Sequence, residues 1–133
     1  MKTYLFVLLS LALAPVSSLF AQDRTPLAVV QQQLDTYNAQ DIDGFAAVFA
    51  EDAEIFMNIG DTVPAMRGRA EIRARYGTLF EENPQNKSTL KGRMVQGPFV
   101  IDHEWITGRD TAFSLVAIYE VQEGLITRAW FVR

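Results

Sequence analysis

The hydrophobic period changes once along this sequence, and that change limits the folds open to it. Up to Lys87 the apolar residues recur mostly at helical spacing; from Ser88 onward they alternate. Pro26 to Ala39 puts Leu27, Val30, Leu34 and Tyr37 on one stripe, with Thr25 as N-cap and Pro26 at the first helical position. Asp41 reads as the cap of a second, short helix whose Phe45, Val48 and Phe49 face inward. Glu54 to Asn58 reads as a strand. Gly68 opens a third helix carrying Ile72, Tyr76, Leu79 and Phe80, with Pro84 beyond its end. Thr89 to Gln96 is a strand, interrupted at Gly97-Pro98 by a bulge or bend and resumed from Phe99 to Thr107. Ala112 to Gln122 and Leu125 to Val132 follow, joined at Glu123-Gly124 as a hairpin. The expected class is α+β: a curved antiparallel sheet wrapped around three N-terminal helices, with a cavity on its concave side.

Apolar packing alone is expected to hold such a domain together. The 133 residues contain no cysteine, which excludes disulfides, thiolate nucleophiles and zinc knuckles. One histidine excludes a multi-histidine metal site within one chain. Net charge is −4, and no Lys/Arg cluster stands out, so nucleic acid and anionic membrane surfaces are poor partners. No metal or cofactor is expected. The first residues stand apart from the domain. Lys2 precedes an apolar run from Tyr4 to Val16, too short to span a bilayer comfortably, and Ala21 offers a small residue for cleavage. Residues 1–21 therefore read as a signal peptide and 22–133 as the domain, secreted or periplasmic and free of the membrane once cut.

Three blocks carry a resemblance. Val29-Val30-Gln31 through Tyr37-Asn38-Ala39-Gln40-Asp41-Ile42-Asp43-Gly44-Phe45 and Val48-Phe49-Ala50-Glu51-Asp52-Ala53 resembles the opening of the nuclear transport factor 2-like superfamily, in its SnoaL-like and ketosteroid-isomerase-like branch. Gly68 to Tyr76 with Leu79-Phe80 resembles its third helix, and Tyr119 to Phe131 its closing hairpin. The resemblance implies a cone-shaped fold with a deep apolar pocket. It also implies where an isomerase's machinery would fall. Such an enzyme uses a carboxylate base with a tyrosine and a protonated aspartic acid as oxyanion hole. Those positions correspond to Met57, Gln33 and Ala117, so that machinery is absent.

Alternation, with the register carried over from the family, puts Phe99, Ile101, His103 and Trp105 on the concave face. Asp102 and Glu104 then point outward, pairing with Arg93, Arg109 or Arg128. Leu115, Ala117 and Tyr119 share the concave face in the next strand, and Thr127 and Phe131 in the last. The expected pocket is apolar and aromatic, with Gln33, Met57 and Tyr76 contributed by the earlier elements. His103 is its one group titrating near neutral pH, and Tyr119 its hydrogen-bond donor. His103 is then either an acid/base group or a buried histidine satisfied by a neighbouring hydroxyl; Tyr119 divides the same way. Two functions follow: proton-transfer chemistry on a small apolar molecule, or binding of an apolar or aromatic ligand without chemistry.

The convex sheet face offers Val116, Ile118, Ile126 and Trp130, and the family commonly pairs through it, so a homodimer is expected. Mass spectrometry of the protein from its native host should find a chain starting at or near Gln22, and sedimentation of that chain should find a dimer. An intact Met1 on the folded protein, or a monomer at micromolar concentration, would contradict these expectations.

Overall fold

Helix α1, Pro26–Asn38, begins where the sequence says it must. The Thr25 hydroxyl accepts from the Ala28 N–H at 3.2 Å, and Pro26 stands at the first helical position. The computed structural model describes residues 24–133; the signal peptide expected at residues 1–21 lies outside the described residues. Helix α2, Ile42–Ala47, is capped by Asp41, whose carboxylate accepts from the Gly44 N–H. Helix α3, Arg69–Glu82, starts after Gly68, whose φ of +89° only glycine adopts readily. Val48 and Phe49 are buried as expected, but Phe49 already opens a strand.

The strands are β1 (Phe49–Phe56), β2 (Met66–Arg67), β3 (Lys87–Gln96), β4 (Phe99–Thr107), β5 (Phe113–Gln122) and β6 (Leu125–Val132). They form one curved, open sheet in the order β2-β1-β6-β5-β4-β3. The sheet is mixed rather than antiparallel, because β1 lies parallel to β6. A parallel pair needs a long crossover, and everything from β2 to β5 supplies it. Gly97-Pro98 is not a bulge within one strand. It is the turn of a β3–β4 hairpin, with Gln96 opposite Phe99. Gly97 supplies the positive φ, and Pro98 needs no ladder donor there.

The three helices pack on one face of this sheet. Tyr37, Phe45, Tyr76 and Phe80 join them, with ring centroids 4.5–6.2 Å apart. Phe45, Phe49, Ile55, Ile72 and Ile126 are fully enclosed beneath. Each such side chain stabilises the fold by about 1.5–3 kcal/mol through burial alone.

Two irregularities change which residues face the helices. In β6, Val121 lies opposite Ile126 and Glu120 opposite Arg128, so Thr127 is an extra residue. Its hydroxyl donates to the Glu120 carbonyl, and the expected place of Thr127 on the concave face is lost. The same bulge turns Ile126, expected on the convex face, into the core, where it is 1 % exposed. In β3, Leu90 lies opposite Glu104 and Gly92 opposite His103, so Lys91 is extra. Beyond it Arg93 stands opposite Asp102 on the inner face.

The largest correction is to β4. Val100, Asp102, Glu104 and Ile106 are buried against the helices, while Phe99, Ile101, His103 and Trp105 lie on the outer face. Alternation tells which residues share a face and not which face is inside, so a one-residue error moves every side chain. Two carboxylates are tolerated inside because each has a partner. Arg93 Nε and Nη2 donate to the two oxygens of Asp102 at 2.6 and 2.7 Å, and Ser88 Oγ donates to Glu104 Oε2 at 2.6 Å. Asp102 has no exposure at all, so removing it strands a nearly buried guanidinium. Asp102→Ala is expected to cost about 3–5 kcal/mol, measured by chemical denaturation. Asp102→Leu combined with Arg93→Met is expected to cost much less; equal losses would show that the charge pair is not what the site needs.

Candidate functional site

Between α1, α3 and the inner face of β4–β6 lies a cavity of about 200 Å³. Helix α1 contributes Gln33, Leu34 and Tyr37, the last residues of its buried face. Helix α3 contributes Arg75, Tyr76 and Leu79; Phe131 enters from β6 and Met57 from the end of β1. Strand β4 gives Glu104 and Ile106, and β5 gives Phe113, Leu115 and Tyr119 at the alternate positions that a strand presents to one side. Arg109, from the β4–β5 turn, and Arg133 stand in the same wall.

Gly108 explains why Arg109 comes so close. Its φ is +77°, and a Cβ there would lie 1.8 Å from the Gln85 carbonyl oxygen. Only glycine lets this turn touch the segment before β3. Arg109 then reaches inward: Nε donates to Asn86 Oδ1 and Nη2 to the Tyr37 hydroxyl, each at 2.8 Å.

Glu104 is the cavity's buried titratable carboxylate. It is 5 % exposed, and its Oε1 has no hydrogen-bond partner among the described residues. Burial pushes its carboxyl above the usual range, against the Ser88 hydrogen bond; Asp102 adds repulsion, and Arg93 offsets part of it. The phenols shift in the same direction. Burial, reinforced by Tyr37, raises Tyr76, while Arg109 and Arg75 oppose the rise. Tyr119 is raised by burial first and by Glu104 next. Both hydroxyls stay protonated at neutral pH and can only donate or accept hydrogen bonds. That of Tyr119 donates to Gln33 Oε1 at 3.2 Å.

Of the residues expected to form the site, Gln33, Met57, Tyr76, Leu115, Tyr119 and Phe131 line this cavity. Ala117 is fully buried on the same sheet face but does not line it. Thr127 is displaced by its bulge. Phe99, Ile101, His103 and Trp105 lie on the opposite side of the sheet, with Phe99 and Trp105 37 % and 40 % exposed. His103 is exposed and shares a 2.8 Å hydrogen bond with Ser114 Oγ, so it is neither a core histidine nor a cavity group. Glu104 and Arg109, expected at the outer face, stand in the cavity wall instead. The missed signal is Ser88, a small hydroxyl opposite Ile106 and next to Glu104 on the inner side of the hairpin.

Residues 30–129 match the SnoaL-like domain family. No curated protein matches the chain in sequence. Among solved structures, an uncharacterized cystatin-fold protein of Novosphingobium aromaticivorans is 25% identical with a TM-score of 0.76, over 83% of this chain and 99% of that one. A candidate ketosteroid isomerase of Kribbella flavida is 25% identical with a TM-score of 0.68, over 80% and 76%. A candidate polyketide cyclase of Sinorhizobium meliloti shares the fold at 17% identity, with a TM-score of 0.67 over 77% and 92%.

Because folding raises the proton affinity of Glu104, its contribution is favourable at low pH. That contribution is lost as pH climbs from the ordinary carboxyl value of 4.5 through the higher value of the folded state. Each tenfold rise in proton affinity corresponds to about 1.4 kcal/mol. Glu104→Gln, which carries no charge at any pH, should therefore gain stability relative to the native chain as pH rises from 4.5 through the raised folded-state value. Denaturation curves that stay parallel across that range would mean Glu104 is not desolvated.

Proposed function

The chain belongs to the SnoaL-like domain family, and from that premise we propose that it binds a small, largely apolar molecule in the cavity and moves a proton on it with Glu104. One observation supports this most: a carboxyl buried in an apolar cavity, raised in pKa, with one oxygen fixed by Ser88 and the other unpartnered. A carboxylate at ordinary pKa is a weak base; raising it toward the operating pH is what general acid–base catalysis requires. Ser88 fixes the carboxyl plane, as a positioning residue does. Tyr76, kept protonated, can donate to an oxygen on which negative charge develops. Tyr119 is already committed to Gln33 and serves mainly to hold α1 against β5.

The chemistry differs from the isomerase pattern at each position. Met57 takes no proton, and neither Gln33 nor Ala117 is an acid. The base is instead assigned to the strand next to the one that carries Ala117. The second reading is a binding protein without chemistry, and the missing oxyanion-hole acid favours it. Export through the expected leader fits either reading. Pairing of two copies through the outer sheet face is proposed as well. There Trp105, Phe99, Met94 and Val116 are each at least 36 % exposed, and Val116, Ile118 and Trp130 remain of the four residues expected to make the contact.

Deuterium exchange at the α-carbon of phenylacetone, followed by NMR, tests the proton-transfer reading. The protein should accelerate exchange, with a rate that rises with pH through the raised pKa of Glu104 and then levels. Glu104→Gln should lower that rate about 10²–10⁴-fold while the protein stays folded. A ketone that binds without any exchange would leave the binding reading and end the catalytic one.

A further inference from the structure

Resting on that reading of the cavity, we infer that its ligand is a small apolar acid whose anionic head sits at the arginine-lined mouth and whose body points toward Glu104. Arg67 pairs with Glu54, Arg73 with Asp43, Arg93 with Asp102 and Arg128 with Glu120. Arg69 donates to the Phe49 carbonyl. Arg24 donates to Gln32 Oε1. Of the five arginines without a carboxylate partner among the described residues, Arg75, Arg109 and Arg133 line this cavity, and Arg24 and Arg69 do not.

Two of the three are held in place. The Arg109 and Arg133 guanidiniums lie 5.5 and 3.7 Å from the centroid of the same ring, Phe113. A ring shared by two cations attracts each of them, but it does not relieve their mutual repulsion. An anion does. Arg109 is further fixed by Asn86 and Tyr37, so it is organised before any ligand arrives. The protein as a whole carries a net charge of −4, so this positive mouth runs against the sign of the molecule. Glu82 and Asp110 flank the adjoining recess without forming an ion pair to these arginines.

The other end sets the orientation. Glu104 is buried, and a second carboxylate beside it would repel it at short range in a poorly solvated site. The acid head therefore goes outward to the arginines and the apolar body inward past Leu115 and Ile106. Size narrows the class. A buried apolar cavity of about 150 Å³ accommodates benzene. This one, at about 200 Å³, takes a single ring with a short chain to the head group.

Calorimetric titration with 3-phenylpropionate and with its neutral amide, 3-phenylpropionamide, tests this on the whole chain. The acid should bind at least tenfold more tightly, and raising NaCl should weaken the acid and not the amide. Arg109→Gln should abolish that preference. Because it also removes two internal hydrogen bonds, the combined Arg75→Gln/Arg133→Gln variant serves as the second probe and should cost the acid at least tenfold. Equal affinity for acid and amide, or an acid preference that survives in both variants, would overturn the inference. So would failure of both probes to bind. Binding with the arginine dependence but no ketone exchange supports the inference while ending the proton-transfer reading. Exchange without acid preference does the opposite.

Discussion

Arg93 and Asp102 hold the structure at the point where its two layers meet. Asp102 is wholly buried, and its two oxygens accept from Arg93 Nε and Nη2. The third nitrogen, Nη1, donates to Gln31 Oε1 on α1 at 2.7 Å, so one guanidinium joins β3, β4 and the first helix. Asp102 is the first cause of the rise in the Arg93 pKa, so the cation stays charged through any accessible pH. Its attraction also offsets part of what desolvation does to Glu104. This contact ties α1 to the sheet beside the packing of its buried Val29, Val30 and Leu34. With α1 in place, Gln33, Leu34 and Tyr37 close one wall of the cavity.

That pair exists because of one extra residue. With regular alternation from Ser88 through Leu90, the side of β3 opposite Asp102 would receive Gly92. The bulge at Lys91 shifts the phase, and Arg93 takes the inner position instead. The same phase change is what makes a buried Asp102 tolerable, and through it the inward Glu104. A carboxylate facing an apolar layer with no partner would cost several kcal/mol and protonate instead. The catalytic candidate and the structural ion pair are thus neighbours on one strand, two residues apart, with opposite fates. Asp102 is neutralised by a guanidinium; Glu104 receives a single neutral hydroxyl.

This also explains what the sequence disclosed and what it withheld. Helix starts were legible because their signals are local: Thr25 before Pro26, Asp41 three residues before Gly44. The ends of β4 and β6 were legible because alternation and turn residues bound them. The face of β4 was not. Phe99, Ile101 and Trp105 outweigh Val100 and Ile106 in apolar surface, and Asp102 and Glu104 look like solvent residues until Arg93 and Ser88 are known to stand opposite. Those partners depend on a bulge that no short-range pattern marks. Thr127 was misplaced for the same reason in β6. The parallel pairing of β1 with β6 joins residues far apart in sequence, which periodicity does not report. The β5 positions Leu115 and Tyr119 came out on the cavity because β5 is regular from Phe113 to Glu120.

The cavity's chemistry is asymmetric from end to end, and that asymmetry argues for more than apolar packing. A core void would be lined by aliphatic groups and closed. Here the inner end carries a carboxyl held at elevated proton affinity, and the outer end carries three guanidiniums without carboxylate partners. Arg109 bridges the two ends through Tyr37, whose ring packs against Tyr76 in the wall between them. If Arg109 paired with Glu104 directly, the carboxyl would lose its raised pKa and the mouth would lose part of its charge. Arg109 is engaged elsewhere: Gly108 lets its turn close against Gln85, and there the guanidinium donates to an amide oxygen and a phenol. Both ends therefore remain unsatisfied in the way a ligand with an apolar body and an anionic head would complete.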